Sequence, residues 1–321
     1  MADGPHILIV RLGAFGDVLH ALPAAASLKR SIPHARITWA IDPKWQWLLE
    51  GNPDVDHVLP VNRKSGDSIR AAWRYLRSNP VRIAVDVQGL LKSAALVRAS
   101  RAPRRIGFAP PHLRERAAGL FYTEQIPVSG AHVVEWNLDL AAAAGAGGRI
   151  ADFPLPAGRP EGELPETPFV LAAPFAGWGA KQWPLEHYEE LAGLLRQEAG
   201  LELVLNVARP FPSKLRQHVS GLAGLLDATR RATAVVGLDS GPLHLAAAIG
   251  KPGVALFGPT DPARNGPYGG TITVLRDPSA PTTYKRMNDI LPCMRALTPR
   301  MVLETLQTCL TTASRNPTPT R

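Results

Sequence analysis

The chain has 321 residues, a formal net charge of +9 at pH 7 and 45% hydrophobic residues. This length exceeds what one hydrophobic core usually supports, and the composition suits packed domains, so we expect two domains and exclude a disordered chain. The positive charge predicts attraction to polyanions, which include nucleic acids, anionic membranes and phosphorylated substrates. Cys293 and Cys309 are too few for a disulfide framework and indicate a reducing cytoplasm.

Short apolar runs alternate with helical patterns through the first half of the chain. The predicted strands are 6–12, 36–41, 57–61, 82–87 and 104–108. Helical patterns at 68–77 and 90–99 lie between them. This alternation is typical of a doubly wound α/β domain with a parallel sheet, which we assign to residues 1–155.

A second alternating series follows a linker. Residues 156–167 are rich in Pro, Gly and Glu and have no apolar period. Residues 168–298 then predict a second α/β domain, with strands at 169–173, 202–206, 233–236 and 253–257. We expect a last helix, 299–312, to pack back on the first domain, and we expect residues 314–321 to be a disordered tail. Two such domains predict a cleft at the carboxyl ends of the strands, where parallel sheets bind ligands.

The first predicted strand ends in the glycine turn R-L-G-A-F-G-D-V-L-H, residues 11–20. Gly13 and Gly16 allow the backbone to approach a ligand closely. The turn is neither a dinucleotide fingerprint nor a Walker A motif, which argues against NAD enzymes and ATP-binding P-loops. Asp17 either caps the following helix or, with His20 three residues later, presents an acid/base group.

A second glycine turn, L-D-S-G-P-L-H at 238–244, precedes an Ala-rich helix with Pro242 in its first turn. The N–H groups of Ser240 and Gly241 at that helix start predict an anion site. His244 can donate to a phosphate oxygen, while Asp239 either orients a sugar hydroxyl or caps the helix.

Two further loops are predicted at the same edge of the second sheet. Upstream, A-G-W-G-A-K places the small residue Gly177 before Lys181, a compact cation suited to a diphosphate. Downstream, Phe257 and Gly258 follow the fourth predicted strand and are expected to flank a nucleotide.

In this order, these motifs resemble the ADP-heptose:lipopolysaccharide heptosyltransferase family, which are inverting family 9 glycosyltransferases. The resemblance covers most of the chain, and the first type of heptosyltransferase is the most similar. It rests on RLGAFGDVLHALP, VDVQGLLKSAAL, KQWP, DSGPLHLAAAIGKP and LFGPTDP. It implies the GT-B fold, in which two Rossmann-like domains face each other across a cleft. It further implies transfer of heptose, or a related sugar, from ADP-heptose to a Kdo/lipid A-type lipopolysaccharide core acceptor.

The resemblance also implies roles for individual residues. Asp17 would be the general base on the acceptor hydroxyl, and no metal or cofactor would be needed. The implied donor site consists of Gly177, Lys181, Asp239, Ser240, Gly241 and His244. The implied acceptor site, whose cations suit an anionic lipid-linked glycan, consists of Gly13, Gly16, His20, Arg63, Lys64, Lys92, Arg114 and His132.

Two loops depart from the family pattern. Ala176 and Gly177 stand where the first type of heptosyltransferase offers threonines to the phosphates. Residues 207–214 read V-A-R-P-F-P-S-K, where the family usually reads the nucleoside. A family member that uses another nucleotide-sugar and another cell-surface glycan therefore remains an alternative.

We expect the protein to act as a monomer in the cytoplasm, peripherally attached to the inner membrane. No run approaches the ~18 apolar residues of a membrane span, and residues 1–6 lack the basic region of a signal peptide. Lysines and arginines attract an anionic inner leaflet. Trp45 and Trp47 either dip into that interface or pack on the core.

Three other functions receive less support from the sequence. A nucleic-acid-binding protein would explain the charge, but no helix-turn-helix, RNP-like platform or zinc module is visible. A nucleotide-sugar epimerase or oxidoreductase would need the absent dinucleotide fingerprint. Asp54 and Asp56 match the Asp-x-Asp pattern of metal-dependent glycosyltransferases, but they lie in a turn entering a strand of the first domain, away from the predicted donor loops.

Overall fold

The computed structural model describes residues 4–315. Contacts within the chain divide it into two compact units, 1–156 and 157–321. The division falls at the start of the segment whose composition predicts a linker.

The first unit is built on a sheet of six parallel strands. Their order is β3-β2-β1-β4-β5-β6. The strands are β1 (His6–Val10), β2 (Arg36–Ile41), β3 (His57–Pro60), β4 (Ile83–Asp86), β5 (Arg104–Phe108) and β6 (Glu124–Ile126). The order reverses direction between β1 and β4, so the loops after these two strands diverge and leave room for a ligand.

Helices cover both faces of this first sheet. They are α1 (Phe15–Leu19), α2 (Leu22–Ser31), α3 (Gly66–Ser78), α4 (Leu91–Ala99) and α5 (Val133–Ala143), with 3₁₀ helices at Pro43–Leu49 and Arg116–Phe121. α2 packs on α5, whereas α3 packs on α4 and α4 on the second 3₁₀ helix. Right-handed crossovers that run in opposite directions along a parallel sheet lie on opposite faces, which explains the two layers.

The second unit repeats the architecture with strand order β12-β11-β10-β7-β8-β9, all parallel. The strands are β7 (Phe169–Ala172), β8 (Glu202–Val207), β9 (Arg216–Val219), β10 (Ala234–Leu238), β11 (Gly253–Phe257) and β12 (Ile272–Arg276). The helices are α6 (Leu185–Ala199), α7 (Leu222–Arg231), α8 (Gly241–Ala248), α9 (Pro262–Asn265), α10 (Pro292–Arg295) and α11 (Pro299–Arg315), with a 3₁₀ helix at Gly179–Lys181. The predicted α/β fold with two parallel sheets is confirmed.

The prediction that the last helix packs on the first domain is wrong. α11 packs against α6, β11 and β12 of the second unit. Val302, Leu303 and Leu306 are fully buried in that unit's core, because they form one apolar stripe along the helix. α11 also extends to Arg315, so residues 314 and 315 are helical rather than part of a tail, and 316–321 lie outside the described residues.

Within residues 4–315, no helix has both the length and the apolar character that crossing a bilayer requires.

Candidate functional site

Asp17 lies in the first turn of α1, just past the carboxyl end of β1. Its Oδ2 accepts a hydrogen bond from the Ala14 N–H at 3.1 Å and lies 2.5 Å from Arg11 Nη2. The carboxylate thus braces the helix start, but it is not the N-cap residue, which is Ala14. About a fifth of the Asp17 side chain (22%) stays exposed, so a substrate can reach it.

Arg11 is the buried partner of this carboxylate. Its Nη1 donates to the Val87 carbonyl at 2.5 Å, and its own carbonyl accepts from the Trp39 indole at 3.2 Å. The next residue, Leu12, donates its N–H to Gln88 Oε1 at 2.9 Å. The bonds to Val87 and Gln88 join the loops after β1 and β4, the bond from Trp39 ties the first loop to β2, and together they fix Arg11 against Asp17. Arg11 is not among the site residues predicted from the sequence, although a cation at the first position of the glycine turn is a usable signal.

The electrostatic surroundings keep Asp17 ionised. Burial alone would raise the pKa of Asp17, but the positive charges of Arg11 and Arg114, with the Ala14 N–H, lower it below its usual value. The carboxylate can therefore accept a proton throughout the neutral range.

The cations predicted around the acceptor gather near Asp17. Partial burial lowers the pKa of Lys92, and the charges of Arg63, Arg114 and Arg11 lower it further, while Glu115 opposes them. Arg63, Lys92 and Arg114 thus share one electrostatic neighbourhood with Arg11, which we call the basic cluster. Lys64 is exposed beyond β3, and its backbone N–H bonds Asn62 Oδ1 at 3.0 Å.

The two predicted histidines contact each other. The rings of His20 and His132 meet edge to face with centroids 5.3 Å apart. His132 caps α5 by accepting the Val134 N–H on Nδ1 at 3.1 Å. The His20 carbonyl accepts from the Asn137 side chain at 2.9 Å, so this pair ties the end of α1 to α5.

Gly13 and Gly16 of the first glycine turn occupy different environments. Gly13 has φ +151°, and a Cβ there would lie 2.7 Å from the Trp45 indole nitrogen. Trp45 stacks on Phe15 with centroids 5.7 Å apart, so it packs beside the turn. Gly16 is buried within α1.

In the second unit, Lys181 and Asp239 form a nearly buried ion pair. Lys181 Nζ lies 2.5 Å from Asp239 Oδ2, and the Thr260 hydroxyl donates to the same oxygen at 2.6 Å. His244 Nε2 lies 3.7 Å from Asp239 Oδ1. Burial would raise the pKa of Asp239, but His244 and Lys181 together hold it well below its usual range. Of the two alternatives for Asp239, helix capping is excluded, because Ser240 is the N-cap of α8.

The N-terminus of α8 adjoins this pair. Gly241 opens the helix, and His244 lies in its first turn. The Ser240 hydroxyl is buried and has no hydrogen-bond partner within residues 4–315. Unpaired N–H groups and the helix dipole favour an anion at such a start. A cation, a hydroxyl and a helix N-terminus therefore converge where a diphosphate was predicted.

The loop that carries Lys181 packs against the backbone of residues 287 and 288. A Cβ on Gly179 would lie 1.5 Å from the Asn288 carbonyl oxygen, and the Ala180 N–H donates to the Met287 carbonyl at 3.2 Å. Lys181 Nζ also lies 4.3 Å from the centroid of the Trp178 ring. Gly177, in contrast, has open space where a Cβ would stand. Of the two glycines in this loop, only Gly179 stands where packing leaves no room for a side chain.

The predicted nucleotide loop is partly wrong. Phe257 is fully buried at the end of β11, so its ring fills the core instead of flanking a ligand. Gly258 stays in the loop, where a Cβ would lie 2.7 Å from Met294 Sδ and Arg276 Nε donates to its carbonyl at 3.1 Å.

The structure also shows an aromatic pair, Phe175 and Phe211, in the loops after β7 and β8 of the second sheet, which the sequence did not predict. Phe175, just after β7, is 45% exposed and meets Phe211 edge to face with centroids 5.0 Å apart. Phe211 belongs to the divergent segment 207–214 after β8, the strand next to β7. Gln217 holds the segment, because its side chain bonds both the N–H and the carbonyl of Phe211, at 3.0 and 2.7 Å.

The Asp-x-Asp pattern is engaged in ion pairs. Asp54 lies 3.4 Å from Arg30, and Asp56 lies 2.7 Å from Lys29. Asp56 also accepts the Ile37 N–H at 2.7 Å. Within residues 4–315, no group of three or more His, Cys, Asp or Glu is placed to hold a metal ion.

Comparison with known proteins gives one consistent result. The model of glycosyltransferase family 9 (heptosyltransferase) matches residues 69–295. Lipopolysaccharide heptosyltransferase 1 of Pseudomonas aeruginosa is 30% identical over 301 residues, covering 82% of this chain and 81% of that protein. Lipopolysaccharide heptosyltransferase 1 of Escherichia coli K12 is 29% identical, covering 85% of this chain and 93% of that protein.

Solved structures agree with the sequence relatives. The E. coli heptosyltransferase WaaC with ADP superposes with a TM-score of 0.74 at 25% identity, covering 95% of this chain and 99% of that one. A family 9 glycosyltransferase from Veillonella parvula has a TM-score of 0.79 at 20% identity, covering 97% and 99% of the two chains, and supports the fold. The chain therefore belongs to glycosyltransferase family 9, the heptosyltransferases.

Proposed function

We propose that this protein is an inverting heptosyltransferase that moves heptose from ADP-heptose to the Kdo/lipid A-type acceptor of the lipopolysaccharide core. One observation carries the proposal: an accessible, ionised Asp17 stands inside the basic cluster of a family 9 chain. The cluster suits an acceptor that carries acidic sugars and phosphates. The names of the relatives support heptose and the lipopolysaccharide core.

In the proposed reaction, Asp17 accepts the proton of the acceptor hydroxyl. The hydroxyl oxygen then bonds to the anomeric carbon of the heptose, and the bond from that carbon to the diphosphate oxygen breaks. A single displacement on the opposite face inverts the anomeric configuration. The bond-breaking electron pair leaves with ADP, and the proton stays on Asp17 until water removes it. A positioned carboxylate typically contributes ~10² to 10⁴ in rate.

The leaving diphosphate is stabilised by Lys181 and the N-terminus of α8. Lys181 supplies a full positive charge, and the helix start adds roughly half an elementary charge with oriented N–H groups. The Ser240 hydroxyl and His244 are further donors within reach of the same helix turn. Asp239 orients Lys181 rather than a sugar hydroxyl.

The reaction is proposed to need no divalent metal, because Lys181 and the α8 N-terminus supply the charge that a metal would otherwise provide. We therefore expect EDTA to leave the rate of transfer unchanged. The check is an initial-rate assay with EDTA and, as a control, with added Mg²⁺. A loss of activity that Mg²⁺ restores would contradict this part of the proposal.

The nucleobase is proposed to stack on Phe175, which Phe211 supports from its edge. Phe175 lies after β7, the strand next to β10 and its diphosphate site, and almost half of its surface is free. A flat exposed ring suits a purine, and base stacking on an aromatic side chain is worth roughly 1–3 kcal/mol. The divergent segment 207–214 thus takes part in the nucleotide site through Phe211.

ADP is expected to raise the melting temperature more than UDP, GDP or dTDP, since a selective ligand stabilises the folded state. Phe175→Ala should weaken ADP binding about tenfold by loss of stacking. Thermal shift against ADP concentration measures both. Met301→Ala, an exposed apolar residue on α11, is the matched control and should bind ADP normally. Stronger stabilisation by UDP, GDP or dTDP would contradict ADP-heptose as the donor and would indicate a sugar donor that carries that nucleotide.

The protein is further proposed to work as a peripheral protein at the cytoplasmic face of the inner membrane. Its acceptor is lipid-linked, and the net charge of +9 favours attraction to an anionic leaflet.

A further inference from the structure

Exposed apolar side chains of the first unit concentrate on one layer of helices. Within residues 4–156, the strongly exposed large apolar side chains are Ile69 (45%) and Trp73 (47%) on α3, Leu91 (43%) at the start of α4, and Leu120 (87%) in the 3₁₀ helix Arg116–Phe121. α3 packs beside α4, and α4 beside this 3₁₀ helix. All four therefore lie on the same side of the sheet, which we call the α3 face.

The apolar residues of α3 form one stripe that its own unit covers only in part. Ile69, Ala72, Trp73 and Leu76 follow the helical spacing i, i+3, i+4, i+7, and Ala72 and Leu76 are buried while Ile69 and Trp73 stay nearly half exposed. A surface helix of a globular domain normally turns such a stripe to the core. Single exposed apolar residues are common, but a group on adjoining elements indicates a binding surface.

The α3 face is also strongly basic. On these elements and their flanking loops, only Asp67 and Glu115 are acidic, and Asp67 is paired with Arg70 at 3.0 Å. The Arg77 guanidinium lies 4.7 Å from the centroid of the Trp73 ring. The exposed cations of the same elements and loops are Arg63, Lys64, Arg70, Arg74, Arg77, Arg82, Lys92, Arg98, Arg101, Arg114 and Arg116. Apolar side chains surrounded by arginines complement an anionic headgroup layer over hydrocarbon.

We propose that the α3 face docks this protein on an anionic lipid bilayer, with Ile69 and Trp73 entering the boundary between headgroups and acyl chains. Leu91 on this face is followed directly by Lys92 of the basic cluster, and Arg63 belongs to both. Docking therefore holds the neighbourhood of Asp17 against the surface that carries a lipid-linked acceptor. This last link rests on the proposed function, whereas docking itself does not.

The test is co-sedimentation of the full chain with phosphatidylcholine vesicles, with or without phosphatidylglycerol. Wild-type protein should bind the mixed vesicles and bind them less at high salt. Ile69→Ser/Trp73→Ser should lower the partition about tenfold or more, because two apolar anchors are lost. Leu185→Ser/Met301→Ser removes two apolar residues of similar exposure, 40% each, from the second unit and should bind like wild type. Thermal melting and the ADP shift verify that each variant folds.

The charge contribution is tested separately. Arg70→Gln/Arg74→Gln should weaken binding to anionic vesicles and flatten its salt dependence, whereas Arg196→Gln/Arg295→Gln removes the same charge from the second unit and should not. Equal binding by α3-face and control variants would overturn the proposal. Binding to duplex DNA without binding to vesicles would overturn it in favour of a nucleic-acid surface.

The proposed function fails or holds independently of docking. Transfer to a detergent-dispersed acceptor should be unchanged in Ile69→Ser/Trp73→Ser, while transfer to the same acceptor embedded in anionic vesicles should fall with the vesicle partition. A wild-type protein that docks through the α3 face but transfers no heptose would contradict the proposed function alone.

Discussion

Asp17→Asn is expected to lower kcat by ~10² to 10⁴ while leaving donor binding nearly intact. The amide keeps the size of the side chain but cannot take a proton from the acceptor hydroxyl. Because Asp17 belongs to the first unit and the diphosphate site to the second, the ADP thermal shift should match that of wild type. Steady-state kinetics with a detergent-dispersed acceptor, alongside the ADP shift, provide the measurement.

The control for Asp17→Asn is Asp67→Asn, which removes an exposed carboxylate from α3 and should keep full activity. The pH dependence gives a second check. A base acts only when ionised, and the pKa of Asp17 is held below its usual value, so protonation of Asp17 should not slow the wild-type rate until the pH falls below the ordinary carboxylate range. Full activity of Asp17→Asn would refute the assignment of the base.

Lys181→Ala is expected to raise the donor KM and to lower kcat, with a combined loss of ~10² to 10³ in kcat/KM. The lost charge acts on the diphosphate when it binds and more strongly when it leaves. The substitution also leaves Asp239 nearly buried without its closest cation, which costs roughly 3–5 kcal/mol of stability for a buried pair. Donor kinetics and thermal melting measure the two effects.

A second variant separates catalysis from stability. Lys181→Ala/Asp239→Asn removes both charges, so the melting temperature should recover while the activity stays low. Arg196→Ala, which removes an exposed cation from α6, should change neither. If the double variant regained activity together with stability, Lys181 would be a structural residue and not a ligand of the donor.

Interior elements of the fold were predictable because their patterns are unambiguous. β1, β4, β10 and β11 are buried on both faces almost throughout, and apart from His6 and Asp86 at the strand ends they read as continuous apolar runs. β6 and β9 lie at sheet edges, where E-Q-I and R-Q-H-V carry polar residues that tolerate solvent, so no strand signal exists. The placement of α11 was not predictable, since an apolar stripe shows that a helix packs but not on which sheet.

The candidate sites followed a similar rule. Asp17, Lys181 and the start of α8 were predictable because glycine or proline stands within a few residues of each of them in the sequence. Arg11 stands in the same sequence motif as Asp17, but no local pattern shows that the two side chains pair, and Thr260 reaches Asp239 only through the tertiary fold. Phe257 was wrongly assigned to the nucleotide loop because the sequence does not show whether an apolar residue at this point is the last residue of the strand or the first residue of the loop. Phe175 and Phe211 meet only because β7 and β8 are neighbours in the sheet.

The ion pair between Lys181 and Asp239 also decides which anions can occupy an empty donor site. The lysine charge already has an internal counterion, and Thr260 holds that counterion in place. A free phosphate ion can accept hydrogen bonds at the start of α8, but it must share Lys181 with Asp239, and no group on it reaches the aromatic pair. A nucleoside diphosphate adds stacking and a second phosphate, so it can bind Lys181 while Asp239 still orients the lysine. Inorganic phosphate should therefore be a poor inhibitor, even where it is far more abundant than the donor.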